Sequence, residues 1–180
     1  MLEIVVPERE YWDPIKEEFI KTKRTTLRLE HSLLSVSKWE SKWKVPFLSK
    51  ESKTLEQTID YIRCMTLTQN VDPIVYYNLP ADAIDKIKTY MDDTMTATRI
   101  NNTNGKHSRE IVTSELIYYW MVALQIPFDP CEKWHLNRLM TLIEVTGIKN
   151  QPPKKMSKKQ TMRSNAAINA ARRARLGSSG

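Results

Sequence analysis

The chain has 180 residues, a length that suits one domain, or one domain with an appendage. It carries 28 basic and 21 acidic residues, a formal net charge of +7. Residues 1–150 contain all 21 acidic residues and 20 basic ones, whereas residues 151–180 contain eight basic residues and no acidic one. The positive charge therefore belongs to a C-terminal arm, which argues against a nucleic-acid-binding fold with a broad basic face.

Composition also argues against several other classes of protein. The longest apolar run, residues 116–124, is about half the length of a membrane-spanning helix. The N-terminus has neither the basic nor the apolar region of a signal peptide. Two cysteines indicate a reducing compartment, and four glycines leave no Gly-rich phosphate loop and no G-x-S-x-G motif. We expect a soluble intracellular module.

The N-terminal pattern predicts two paired strands with a short helix between them. Leu2–Val6 is rich in β-branched residues and precedes a proline, and residues 25–30 alternate apolar and polar side chains. Tyr11 to Pro14 are typical of a turn, and Asp13 with Pro14 favours the start of a helix that ends near Ile20.

Helices are predicted through the middle of the chain. The pattern of residues 32–44 favours a helix, with Trp39 and Trp43 four residues apart. Thr54 and Gln57 have the spacing of a capping box at the start of a helix over residues 54–68. A further helix is predicted over residues 80–91, then an edge strand at 95–100 and an exposed polar turn at 101–105.

The strongest helical pattern covers residues 108–125, with Ser108 as its cap. Because residues 116–124 are apolar all round, we expect the second half of this helix to be buried on most sides. A second helix is predicted from Asp129-Pro130 to Thr146, with Gly147 as its stop. The short connection predicts an αα-hairpin over residues 108–147 that forms the hub of the core.

The composition changes after Asn150. Gln151-Pro152-Pro153 cannot continue a helix, and residues 157–176 are rich in Ala and Arg, with good helix propensity. We therefore predict an α+β fold. A near-neutral, mainly helical domain over residues 1–150 has a few N-terminal strands and a C-terminal αα-hairpin, and a basic helical arm occupies residues 151–180.

Candidate catalytic and metal sites are weak. Cys131 and His135 are four residues apart on a predicted helix, but a tetrahedral zinc site needs two more ligands. The other candidates, His31, Cys64 and His107, are far apart in the sequence. The adjacent carboxylates at residues 17–18 and 92–93 point to different sides of a helix and make no acid–base pair by themselves. We expect no catalytic residue, no metal and no cofactor.

Trp39 and Trp43, flanked by three lysines, form a second candidate. The pair either packs in the core or at a protein interface, with lysines lying along it, or stacks on nucleotide bases. The first interpretation is favoured, because Glu40 and Lys44 form a stabilising i, i+4 pair.

The arm is the best candidate for a partner-binding segment. It either docks on an acidic protein surface, binds nucleic acid, or is a solubilising end. The spaced alanines and asparagines favour a helix that packs against a protein. The predicted partner-binding residues, with the two tryptophans, are Lys154, Lys155, Lys158, Lys159, Arg163, Arg172, Arg173, Arg175, Trp39 and Trp43.

Several stretches carry a resemblance to a known group. They are SELIYYWMVAL at 114–124, WHLNRL at 134–139, KNQPPKKMSK at 149–158, WESKW at 39–43 and the arm at 165–176. In these stretches the chain resembles small morphogenesis proteins of siphophage-type tailed bacteriophages, of the kind labelled tail assembly chaperones. The resemblance implies a protein that keeps the tail tube or tape-measure protein soluble before assembly.

We therefore expect a non-enzymatic phage tail-assembly protein in the host cytoplasm, with tail tube, tape-measure or other virion subunits as partners. A homo-oligomer is compatible with this expectation, and no membrane contact is expected. One alternative is a structural virion component, such as a head–tail connector or minor capsid-associated protein. The other is a nucleic-acid-binding accessory protein.

Overall fold

The computed structural model describes residues 1–13, 17–100, 110–150 and 158–177. Within them the chain forms two small antiparallel sheets and a larger set of helices. The elements are β1 Leu2–Val6, β2 Arg9–Asp13, β3 Glu18–Thr22, β4 Thr25–Leu29, α1 Leu33–Trp43, α2 Leu55–Met65, α3 Ile74–Tyr77, α4 Ala81–Asp92, α5 Ser114–Ala123, α6 Phe128–Cys131, α7 Leu136–Asn150 and α8 Lys158–Leu176.

The predicted pairing of the first strand with residues 25–30 is confirmed. β1 and β4 are antiparallel, with Leu2 opposite Leu29 and Val6 opposite Thr25. Both strands alternate buried and exposed side chains, because successive side chains of a strand point to opposite faces. The buried face of this ribbon forms one side of the core.

The short helix predicted after Asp13 is wrong, because this part of the chain forms a β-hairpin. β2 pairs antiparallel with β3, and Tyr11 and Trp12 stand opposite Ile20 and Phe19. Backbone pairing with β3 here outweighs the helix-start signal of Asp13-Pro14, and Tyr11 to Asp13, predicted as part of a turn, belong to β2.

The helices predicted at residues 32–44 and 54–68 are confirmed as α1 and α2, and both begin at capped residues. Ser32 caps α1, and Lys44 ends it in the left-handed conformation. The capping box of α2 is confirmed, because the Thr54 hydroxyl accepts from the backbone of Gln57 while the Gln57 side chain accepts from the backbone of Thr54. α2 ends at Met65, slightly before the predicted end.

The core lies between the β1–β4 ribbon and the helices. Its fully buried side chains include Trp39, Leu27, Leu29, Leu33, Met65, Ile117, Met121, Leu136 and Leu139. The closest helix packing is that of α1 against α2 and against α5. The predicted helix over residues 80–91 is confirmed as α4, whereas the edge strand predicted at residues 95–100 is wrong, since this segment is irregular. The turn predicted at 101–105 lies outside the described residues.

The helix predicted from Ser108 begins later, at Ser114. Ser108 lies outside the described residues, and residues 110–113 are not helical. Thr113 caps α5, and the carboxylate of Glu40 on α1 accepts from the backbone N–H of Ser114 at 2.8 Å. A tertiary contact therefore fixes the start of α5, which local propensity cannot show.

The expected burial of residues 116–124 on most sides is also wrong. Ser114, Ile117 and Met121 are the buried residues of α5, whereas Tyr119 and Val122 are 64% and 62% exposed. The helix packs along one stripe and presents apolar side chains elsewhere.

The second helix of the predicted hairpin is divided. The short α6 precedes α7, which begins at Leu136 instead of at Asp129. Gly147 does not stop α7, which continues to Asn150. A Cβ at Gly147 would meet nothing within 4 Å, and no left-handed conformation is recorded for this glycine.

The α+β fold class is confirmed, with strands at the N-terminus and helices at the C-terminus. The chain divides into two compact units, Met1–Ile148 and Lys149–Gly180. The core belongs to the first unit, and the second contains α8.

Candidate functional site

The basic arm contains a 19-residue helix, α8. Six of the predicted partner-binding residues lie on it, and all six are exposed: Lys158, Lys159, Arg163, Arg172, Arg173 and Arg175. Lys154 and Lys155 lie outside the described residues. Ser164 is the one half-buried residue among those of α8 whose burial is described.

The cationic side chains of α8 concentrate near its two ends. Lys158 and Lys159 stand in the first turn, where the helix dipole disfavours positive charge and where no acidic residue offsets it. Arg173 and Arg175 stand in the last turn, where the dipole favours them. No acidic residue occurs anywhere in residues 151–180. The arm therefore supplies no carboxylate of its own to offset the positive charges of α8.

Apolar side chains interrupt this charge. Met162, Ile168 and Leu176 are 65%, 50% and 78% exposed. An isolated helix of this length is marginally stable in water. A partner that buries these side chains and neutralises the lysines and arginines would stabilise the helix. A surface that offers apolar groups and negative charge together would match the exposed groups of α8.

The two tryptophans have structural positions. Trp39 is 0% exposed and donates from Nε1 to the carbonyl of Gln57 at 2.9 Å. Trp43 is half-buried and donates from Nε1 to the carboxylate of Asp60, also at 2.9 Å. Trp39 therefore belongs to the core and offers no surface to a partner. For Trp39, the structure agrees with the favoured interpretation that the tryptophan pair packs in the core.

Asp60 holds the edge of the tryptophan pair in place. Its carboxylate also accepts from Lys42 Nζ at 2.5 Å, and Arg63 lies 3.9 Å away. Burial alone would raise the pKa of Asp60, but the hydrogen bonds from Lys42 and Trp43 and the charges of Lys42 and Arg63 outweigh it and lower that pKa. One of the flanking lysines is thus engaged within the domain.

Cys131 and His135 are both buried, and His135 lies beside His31, which is far away in the sequence. The ring centroids of His31 and His135 are 5.2 Å apart. His31 Nδ1 is 2.5 Å from the Tyr61 hydroxyl, and His135 Nε2 is 3.0 Å from the Tyr90 carbonyl. Among the described residues, no group of three or more His, Cys, Asp or Glu side chains could hold a metal ion.

The histidine pair links the starts of two helices. His31 precedes the cap of α1 and His135 precedes α7, and the backbone N–H of Leu136 donates to the His31 carbonyl at 2.7 Å. Burial, followed by the charge of His135, lowers the pKa of His31 to about 4. The sequence places His135 near Cys131 and leaves His31 apart from both, and no local pattern connects the two histidines, which are far apart in the chain.

Three of the four carboxylates in the two adjacent pairs lie on the surface. Glu17 is exposed before β3, and Asp92 and Asp93 are exposed at the end of α4. Asp93 accepts from the backbone N–H of Met95 at 2.8 Å. Glu17, Asp92 and Asp93 are therefore surface charges, and Glu18 lies on a strand instead of the predicted helix.

Fold and site together define an α+β protein with an exposed basic helix. No helix in the described ranges is long and apolar enough to cross a membrane. Comparison with protein-family models, with curated proteins and with solved structures gave no match.

Proposed function

We propose that the protein is a non-enzymatic phage tail-assembly factor. In this proposal α8 binds a client, the tail tube or tape-measure protein, during morphogenesis in the host cytoplasm. The observation that carries the proposal is the exposed helix α8, whose described basic side chains all face solvent and which has no acidic residue. The identity of the client rests on the resemblance to phage morphogenesis proteins.

Charge supports binding to an acidic surface. The arm carries eight basic residues, whereas residues 1–150 are nearly neutral. A concentrated positive segment is steered towards a negative surface and speeds encounter. A chaperone that must find newly made subunits would benefit from such steering.

The apolar side chains of α8 favour a protein client over nucleic acid. In this proposal Met162 and Leu176 are buried against an apolar groove of the client. A phosphate backbone neutralises cations but offers no apolar surface to these residues. Binding to nucleic acid is therefore an outcome of the test below and would contradict the proposal.

Co-expression with the tail tube and tape-measure proteins of the same phage tests the proposal. The tagged full chain is expected to co-purify with one of them and to raise its soluble fraction. The triple variant Arg172→Glu, Arg173→Glu and Arg175→Glu is expected to capture at least tenfold less client than the unchanged chain. Undiminished capture by this variant would contradict a role for α8.

A matched control separates local charge from net charge. Lys23, Arg24 and Lys88 are exposed basic residues of the first unit. Their simultaneous change to Glu alters the net charge by the same amount and is expected to leave client capture within twofold. Both triple variants are also tested on generic duplex DNA. Tighter binding of DNA than of either tail protein, with a steep loss in salt, would assign the arm to nucleic acid.

A further inference from the structure

A half-buried lysine, Lys53, lines a small groove beside the start of α2. The groove has a volume of about 230 Å³, and its lining includes Trp39, Pro46 and Ser49. A space of this size has room for several water molecules, and therefore for a small reagent. The amine of Lys53 is thus partly enclosed by the protein and still within reach of a small molecule from solvent.

The amine of Lys53 faces aromatic rings. Its Nζ atom is 4.4 Å from the ring centroid of Phe47 and 5.8 Å from that of Trp39. Both rings belong to the core. Glu51 lines the same groove, but none of the ion pairs found among the described residues includes Lys53. Lys42, Lys86 and Lys133, in contrast, each pair with an aspartate, which favours the protonated amine.

Two features of this position favour the neutral amine of Lys53. Partial burial in the groove removes water from the ammonium group and lowers the pKa of Lys53. Lys53 also directly precedes Thr54, the N-cap of α2, and the positive end of a helix dipole disfavours a nearby cation. The attraction of the ring faces for an ammonium acts in the opposite direction, and we expect burial and the dipole together to exceed it.

We propose that Lys53 is an acylation site that reacts with small acyl phosphates, such as acetyl phosphate. The lone pair of the neutral nitrogen attacks the carbonyl carbon of the acyl phosphate. A new N–C bond forms while the C–O bond to phosphate breaks. The phosphate leaves with the electron pair of that bond, and the proton lost from nitrogen passes to solvent. The product is a neutral amide at Lys53, and the step needs neither an oxidant nor a reductant.

This inference goes beyond the proposed function, because Lys53 belongs to the first unit and not to the arm. Acylation would remove one positive charge beside the start of α2. The reaction is measured without any client, so its failure leaves the client-binding experiment unaffected.

Acetylation of the folded full chain by acetyl phosphate, followed site by site with peptide mass spectrometry, tests the proposal. Lys50 is the matched control, because it is exposed and lies three residues before Lys53 in the same connection. At pH 7.5 we expect Lys53 to be acetylated at least threefold faster than Lys50. An amine with the usual lysine pKa gains about a hundredfold in rate between pH 7.5 and pH 9.5. The gain at Lys53 is expected to be at least threefold smaller than the gain at Lys50, and steric access cancels from this ratio.

Unfolding the chain in urea provides the second control, because it removes the groove and the helix dipole. In urea at pH 7.5 the two lysines are expected to react at rates within twofold of each other. The proposal would be overturned if Lys53 of the folded chain reacted no faster than Lys50 at pH 7.5. Equal gains in rate at the two lysines between the two pH values, or a preference for Lys53 that persists in urea, would overturn it as well.

Discussion

The imidazole of His31 lies against that of His135 in the interior of the protein, with their ring centroids 5.2 Å apart. Both side chains are at least nine-tenths buried. His31 faces the Tyr61 hydroxyl, and His135 Nδ1 has no hydrogen-bond partner among the described residues. A proton on His31 would place a charge in a buried cluster next to a second imidazole, which links protonation of His31 to unfolding.

Acid should destabilise the fold through His31. Its pKa is about 4 in the folded protein and about 6.5 in the unfolded chain, so the unfolded chain binds the proton first as pH falls. His31 therefore leaves the free energy of unfolding unchanged at pH values well above 6.5. As the pH falls towards 4, that free energy decreases progressively, by about 3 kcal/mol in total. Urea unfolding at pH 7 and pH 4.5 measures the loss.

His31→Gln is the matched variant, because glutamine keeps a polar group near Tyr61 and does not titrate. We expect its free energy of unfolding to fall by about 2 kcal/mol less than that of the wild type between these pH values. An identical fall in both proteins would show that His31 does not titrate on unfolding.

Glu40 should be essential for joining α1 to α5. Its buried carboxylate accepts from the backbone N–H of Ser114 at 2.8 Å and of Phe47 at 2.7 Å. Glu40→Ala leaves two backbone donors without this acceptor and is expected to cost about 2–4 kcal/mol in chemical denaturation. Glu3→Ala, at an exposed position of β1, is expected to cost less than about 0.5 kcal/mol. Equal costs would contradict the bridging role.

The two tryptophans should differ in what they contribute. Trp39→Ala empties a fully buried site and is expected to cost about 3–5 kcal/mol. Trp43→Phe removes the hydrogen bond to Asp60 and is expected to cost about 1 kcal/mol. Thermal and urea unfolding give both values. Client capture by the folded Trp43→Phe variant is expected to stay within twofold of the wild type. A large loss of capture would show that Trp43 contacts the client.

The orientation of α5 predicts that substitutions of two adjacent residues change stability by very different amounts. Met121 is 0% exposed and Val122 is 62% exposed. Met121→Ala is expected to cost about 2–5 kcal/mol, whereas Val122→Ala is expected to change stability by less than about 0.5 kcal/mol. Similar losses from both substitutions would mean that α5 is buried on both sides.

Sequence signals that span only a few residues predicted an element correctly wherever the tertiary structure favours the same conformation. The alternation in β4 and the capping box at Thr54 are complete within a few residues, so both were predictable. The hairpin of β2 and β3 was not, because the Asp13-Pro14 signal competes with cross-strand pairing that becomes visible only when the strands are aligned.

Part of the candidate functional site was predictable from the sequence and part was not. The charge of the arm is a property of composition and was predictable from the sequence, as was the helix α8. The His31–His135 pair and the contact between Glu40 and Ser114 depend on chain segments that meet only in the folded protein. No pattern in one sequence specifies which distant segments meet.

Quantitative mass spectrometry of purified virions tests the proposed assembly role most directly. A tail-assembly chaperone binds its client before the particle is complete, so the account predicts abundant tail tube peptides and less than one copy of this chain per particle. The infected-cell lysate, in which the chain must be detected, serves as the control. A fixed number of copies in every virion would contradict the chaperone role and identify the protein as a structural component.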